Sequence, residues 1–213
     1  MVIIVCGRFY IENDIEDIMV RYGIKNTKDI TYSKGEIFPG TNIPIIFNNE
    51  ERKLDFFRWG YQIRGLNKEI INARIETVAE KQNFRKAFLN NRCIIPANAF
   101  FEWHNREKGK DKYKISLKDI KLFSMAGIYD NFIDKNNNPY FGVVILTRAA
   151  NEHMSKVHNR MPVFIKKEEE EEWLLESPNN ALKLKEKLEN SNWFNLNIDP
   201  AEGSKQLSMY DLI

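Results

Sequence analysis

The sequence predicts an α+β fold: a single domain with a mostly antiparallel, barrel-like β-sheet core and peripheral helices. Three observations carry this reading. The chain has 213 residues, a length that suits one sizeable domain. Segments rich in β-branched and aromatic residues crowd its middle, whereas helical periodicity sits near both ends. No fixed-period repeat and no Ser/Gly-rich or Pro-rich linker divides the chain.

Each element has its own signal. The opening MVIIVC, read alone, is a first core strand carrying Cys6. Residues 12–22 read as a helix: Asn13 or Asp14 caps it, Ile15, Ile18, Met19 and Tyr22 recur at helical spacing, and Gly23 ends it. Residues 43–47 and 54–63 read as strands. Thr77 is the expected cap of a helix over 78–89, whose apolar set is Val78, Phe84, Ala87 and Phe88. Residues 92–103, 112–117, 122–129 and 140–147 read as strands. A short helix over 149–157, helices over 166–176 and 180–188, and a late strand over 193–198 complete the series. The run Glu168 to Glu172 reads as a solvated helix start, where anions complement the helix dipole.

Composition narrows the class. Hydrophobic residues make up 43% and charged residues 29%, enough to bury a core without staples. Two cysteines, Cys6 and Cys93, argue against a disulfide scaffold and fit a reducing cytosol, so a cytoplasmic protein is expected. Cys93, beside Ile94 and Ile95, reads as structural. The longest apolar runs, such as 141–146, fall far short of the roughly 18 residues of a membrane span. The first five residues lack the basic region and cleavage site of a secretion signal. The formal net charge of +2 neither requires nor excludes a nucleic acid, because a local basic groove fits a near-neutral protein. With no CxxC, HxxxH, HExxH, GxGxxG or GxxxxGK[ST] pattern, neither a metal nor any other cofactor is expected.

Four stretches carry chemistry: CGRF from Cys6, INARIET from Ile71, PANAFFEW from Pro96, and TRAANEHMSKVHNRMPV from Thr147. Each has a plain reading beside a functional one. Cys6 alone is a small buried hydrophobe. Asn72 and Arg74 fit a strand end as well as a ligand site. Glu102, between aromatics, is either a buried carboxyl with a raised pKa or a residue that simply faces water. His158 suits a surface or capping role as well as a catalytic one. Trp59 reads as core, or as a stacking platform beside basic residues. A Cys/His site needs Cys6 and His158 close in space with an orienting group such as Asn72 or Glu102.

Taken together, these stretches resemble the SRAP family (SOS-response-associated peptidase domain, the abasic-site processing proteins). The resemblance rests on Cys6-Gly7-Arg8-Phe9, Arg58-Trp59-Gly60, Asn72 through Thr77, Arg92 through Trp103, and Thr147 through His158-Asn159-Arg160-Met161-Pro162, in that order. Two positions depart from the family pattern: the stretch after Trp59-Gly60 lacks the usual Pro and second Trp, and Ala99 replaces a Gly. The resemblance implies an enzyme that binds single-stranded DNA at abasic sites and crosslinks to them through an N-terminal cysteine. It implies Cys6 as nucleophile, with Asn72, Glu102 and His158 at active-site positions, and Arg8, Trp59, Arg74, Thr147 and Arg160 near the DNA. It also implies action as a monomer, with replication-fork proteins as further partners.

Those residue types suit that chemistry. A ring-opened abasic site presents an aldehyde. A terminal α-amine has a pKa near 8, so roughly a tenth is unprotonated at pH 7, against well under a thousandth of a lysine. The amine forms a Schiff base and the neighbouring thiol closes a thiazolidine ring. This needs a free amine on Cys6, and five residues precede it. The working protein is therefore expected to begin at Cys6, through cleavage of residues 1–5 or through a start at the Val5 codon; the third alternative is that the extension stays and the protein does not crosslink. Two other functions compete: a thiol peptidase or autoprotease using Cys6, and a non-catalytic single-stranded DNA binder.

Overall fold

The computed structural model describes residues 6–25, 32–63, 65–66, 68–107, 109–134, 136–175 and 177–201. The expectation about residues 1–5 lies outside the described residues. In chain order the elements are β1 (Arg8–Ile11), α1 (Ile15–Tyr22), β2 (Gly35–Ile37), β3 (Asn42–Asn49), β4 (Glu51–Trp59), β5 (Asn72–Arg74) and α2 (Gln82–Asn90). Then come β6 (Arg92–Ala97), β7 (Ala99–Asn105), β8 (Lys110–Leu117), β9 (Phe123–Ile133), β10 (Pro139–Ala149) and α3 (Glu152–Ser155). The chain closes with β11 (Arg160–Pro162), β12 (Phe164–Ile165), α4 (Glu170–Leu175), α5 (Ala181–Glu189) and β13 (Leu196–Pro200). The α+β expectation holds.

The strands form two sheets. In one, β10, β4, β3, β6 and β9 pair in that order, and β9 pairs back onto β10 to close a barrel. Strands β5 and β11 add to β10, and β12 adds to β9. The other sheet is five-stranded, in the order β13-β8-β7-β1-β2. Pairing is antiparallel except where β10 meets β4 and β5. The parallel contact with β5 matters, because it lays Asn72–Arg74 alongside Ile145–Thr147. Inside the barrel, a Cβ on Gly127 would sit 2.8 Å from Ile95 Cδ1 and 2.9 Å from Cys93 Sγ, so that position has room only for hydrogen. Cys93 is fully buried there.

Four expectations change. Among the described residues the first strand starts at Arg8, so Cys6 lies ahead of it and not on it. Thr77 does not cap α2. It ends a 3-10 turn over Ile75–Thr77, and its carbonyl accepts the Glu80 and Lys81 N–H groups, so the helix begins at Gln82. The acidic run is not wholly solvated. Glu170 is buried, where it accepts two hydrogen bonds from Arg21 at 3.1 and 2.6 Å and one from Ser124 Oγ at 2.6 Å. The long strand over 92–103 is two strands, β6 and β7, in different sheets.

Asn98 makes that last break. Its backbone N–H donates to the Tyr10 carbonyl at 2.8 Å, and its Oδ1 accepts the Glu12 N–H at 2.8 Å. Its Nδ2 donates to Asn13 Oδ1 at 2.9 Å and the Lys121 carbonyl at 2.6 Å. The side chain thus satisfies three groups at the seam between the sheets. Asn98→Ala removes the three part-buried side-chain bonds. It should cost about 2–3 kcal/mol in urea unfolding with an unchanged m-value. A loss below about 0.5 kcal/mol would show that the seam is held otherwise.

Candidate active site

The site begins where β1 begins. Arg8 pairs with Phe101 and Phe9 with Phe100, so the residues just before Arg8 lie alongside Glu102. Cys6 adopts a left-handed backbone, with φ of 47°, uncommon for a residue with a side chain. Its backbone N–H donates to Glu102 Oε1 at 2.5 Å. Both residues are buried, Cys6 completely and Glu102 to 3% exposure. Burial pushes the Glu102 carboxyl up to about 8, against the opposing pull of N–H groups from Cys6 and Trp103. At neutral pH this acid is largely protonated. Burial, and then the Glu102 charge, push the Cys6 thiol well up. The thiol is therefore neutral at rest and needs a base to react.

A second group assembles on β10 and its neighbours. Strand β5 carries Asn72, half-buried, and Arg74, exposed. Arg74 lies opposite Thr147 on β10, and β11 pairs with the same end of β10, setting Pro162 opposite Thr147. Arg160, on β11, clamps Glu76 with both terminal nitrogens at 2.5 and 2.8 Å and donates to the Thr147 carbonyl at 2.7 Å. Burial raises the Glu76 carboxyl, but the Arg160 hydrogen bonds outweigh it and hold the group below its usual range. His158 Nδ1 lies 3.2 Å from the Arg160 N–H and 3.4 Å from the Arg160 carbonyl, and the shorter contact favours the neutral tautomer with its proton on Nε2. Burial holds the His158 pKa below its ordinary value, so the ring is neutral at pH 7.

Trp59 joins the two groups. Its ring packs against Phe9 at 5.0 Å between centroids, and its Nε1–H donates to the Ile71 carbonyl at 3.0 Å. Ile71 adjoins Asn72, and Phe9 stands three residues after Cys6. Trp59 is 0% exposed. This corrects the stacking expectation: a ring with no accessible face offers none to a base, and Trp59 instead sets the spacing of the strands that carry the site. Thr147 is likewise buried, its Oγ1 3.3 Å from Arg160 Nη2, so it reaches a ligand only through Arg160. Arg8 lies on the outer face of the five-stranded sheet, donating to Glu36 at 2.8 Å with its side chain one-third exposed.

The residues that sequence reasoning missed are anchors. Glu76 fixes Arg160, and Glu36 fixes Arg8. A signal for Glu76 was present: Asn72, Arg74 and Glu76 alternate with Ile71, Ala73 and Ile75, a period-two polar row. Glu36 had none, because its partners are distant in sequence. Among the described residues, no group of three or more His, Cys, Asp or Glu could hold a metal ion. No helix there is long and apolar enough to cross a membrane.

The buried carboxyl makes stability depend on pH. Glu102 binds its proton more tightly folded than unfolded, so its contribution is fully present below the unfolded carboxyl pKa. It is lost as pH rises through about 8. Glu102→Gln removes this slope. From pH 5 to pH 8.5, the difference in unfolding free energy between this variant and the native chain should shift steadily in favour of the variant. Parallel pH profiles would show the carboxyl to be solvated.

A family model described as SOS response associated peptidase (SRAP) matches residues 5–202. The chain is 35% identical over 189 residues to the abasic site processing protein YoqW of Bacillus subtilis (strain 168), covering 83% of this chain and 82% of that one. It is 28% identical over 176 residues to the abasic site processing protein YedK of Escherichia coli (strain K12), covering 79% of each. Among solved structures, a protein from Bacteroides thetaiotaomicron superimposes with a TM-score of 0.76 at 26% identity, over 91% of both chains. One from Bordetella bronchiseptica gives 0.77 at 20% identity over 92% of this chain and all of the other, a likeness of fold. The order of the site-bearing stretches, the barrel with its companion sheet, and these matches agree: the chain belongs to the SRAP family.

Proposed function

We propose that the protein, once it begins at Cys6, captures abasic sites in single-stranded DNA as a covalent adduct. One observation carries this: the nitrogen of Cys6 sits 2.5 Å from a buried carboxyl whose pKa is about 8. A free α-amine has an ordinary pKa near 8 too. Protons pass at little cost between groups so matched, although an ammonium there would draw the Glu102 value down. The relatives named as abasic site processing proteins support the reading.

The chemistry proceeds in two steps. The Cys6 amine adds to the aldehyde carbon, and one N–H proton passes to the carbonyl oxygen to give the carbinolamine. Glu102 then gives its proton to the hydroxyl, which leaves as water, and takes back the remaining N–H proton to leave the imine. The thiol sulfur then adds to the imine carbon, and the thiol proton passes to nitrogen, closing the thiazolidine. His158 Nε2–H offers a hydrogen bond to the sugar oxygen during ring opening, and Asn72 orients the sugar or amine. Arg8, Arg74 and Arg160 neutralise flanking phosphates. Thr147 and Trp59 act as positioning residues. In this proposal the protein acts as a monomer. A lesion exposed on unwound template would bring the protein among replication-fork proteins.

A second reading draws on the same contact. With residues 1–5 attached, the nitrogen facing Glu102 belongs to the Val5–Cys6 peptide, and Cys6 holds a left-handed φ. The Cys6 sulfur attacks the Val5 carbonyl carbon. Its proton goes through Glu102 to the nitrogen, the C–N bond breaks, and a thioester forms. Water then releases residues 1–5 and frees thiol and amine together. Self-cleavage thus unmasks the crosslinking group.

Chain beginning at Cys6, mixed with an abasic oligonucleotide, should give an adduct stable to denaturation and absent with undamaged DNA. Cys6→Ser should lower it by about 100-fold or more unless the imine is trapped by reduction. Glu102→Gln should slow formation by about 100-fold. Failure of the Cys6-first chain to form any adduct would overturn the proposal. Intact mass tests the second reading: residues 1–5 should be lost from the native chain and retained in Cys6→Ala and Glu102→Gln.

A further inference from the structure

The outer face of the five-stranded sheet carries a feature of which the lesion chemistry uses only Arg8. Arg8, Phe101 and Lys114 are register partners across β1, β7 and β8, and Trp103 pairs with Lys112, so all five share one face. Tyr10 joins them by alternation along β1, and Glu36 stands opposite Tyr10 on β2. The inner face is different in kind, with Phe9, Ile11, Phe100 and Ile115 all fully buried.

On the outer face, cations alternate with rings. Arg8 Cζ lies 3.8 Å from the Phe38 centroid, Lys112 Nζ 4.1 Å from Phe101, and Lys114 Nζ 4.1 Å from Tyr10. Such contacts hold cations in place while leaving their N–H groups able to donate. Glu36 ties the row together, accepting from Arg8 at 2.8 Å and from Lys112 at 2.7 Å on each oxygen. Burial raises the Glu36 carboxyl, but Lys112 and Arg8 outweigh it and hold it ionised below the usual range. Lys110 adds a further cation by alternation, and Asp199 stands opposite Lys114 on β13. Cations still outnumber carboxylates on this face.

We propose that this face is a track for the DNA strand flanking the lesion, with Lys112 and Lys114 as phosphate contacts and Trp103 and Tyr10 as stacking surfaces. It rests on the proposed DNA function, and it starts at Arg8, two residues from Cys6. Alternating cations and rings match a single strand, in which phosphates alternate with bases, better than an acidic polypeptide, which has no bases to stack. Glu36 sets the strength of the track, since an arriving phosphate competes with it for Arg8 and Lys112.

Equilibrium binding of the full chain to abasic oligonucleotides tests this, using one with a single nucleotide on each side of the lesion and one with about ten. Lys112→Gln/Lys114→Gln should weaken binding of the long oligonucleotide on the order of tenfold near 0.1 M salt. It should flatten the salt slope by about 1.4, and leave the short one unchanged. Glu36→Gln should do the reverse, tightening the long oligonucleotide and steepening its slope, a gain that mere structural damage does not produce. Equal effects on both lengths, or none on the long one, would overturn the track while leaving the lesion chemistry standing. A poly-glutamate peptide that competes as well as the long oligonucleotide would reassign the face to an acidic protein. Absence of binding to either oligonucleotide would overturn the DNA reading itself.

Discussion

A single buried contact organises this protein: the nitrogen of Cys6 against the carboxyl of Glu102. An ionised carboxylate at 3% exposure would be expensive to hold without a cation, and the described ion pairs give Glu102 none. The fold resolves this by keeping the group protonated near neutrality and by offering it backbone N–H groups. That solution has a chemical consequence. An acid that keeps its proton at pH 7 can hand it over, whereas an ordinary surface glutamate has none to give.

Three other buried or half-buried acids follow the opposite rule. Glu76 is clamped by Arg160, Glu170 by Arg21, and Glu36 by Arg8 and Lys112. Each of these pairs joins distant parts of the chain, and each fixes an arginine whose direction matters. Arg160 is held beside His158, and Arg8 beside the entrance of β1. The molecule thus separates two uses of carboxyl groups. Paired ones aim cations, whereas Glu102, without a cation, keeps its proton near neutrality.

Two side chains set the distances between these parts. Asn98 satisfies backbone and side-chain groups from two segments at the point where the chain leaves the barrel for the second sheet. Trp59 spans from Phe9 to the carbonyl of Ile71 and so couples the strand after Cys6 to the strand carrying Asn72. A ring of this size, fully buried, admits little slack, because interiors pack at crystal-like density. Its burial is why a residue beside basic neighbours packs as core.

Much was legible in the sequence. The alternation of β-branched and aromatic residues located the main strands, the periodicity of Ile15, Ile18 and Tyr22 located α1, and four polar stretches singled out Cys6, Asn72, Glu102 and His158. These are local properties, written in the spacing of neighbouring residues. What sequence could not show was which elements meet. Residues 92–103 read as one strand because Asn98 breaks it only through partners near residues 10–13 and 121. The acidic run read as solvated because Arg21, which buries Glu170, lies 149 positions away. Glu102 had two readings, facing water or facing the core, until the register of β1 on β7 set it against Cys6. Fold class and the set of chemically able side chains therefore follow from the order of residues alone. Which carboxyl keeps its proton was settled in three dimensions, because that depends on burial and on charges brought from far along the chain.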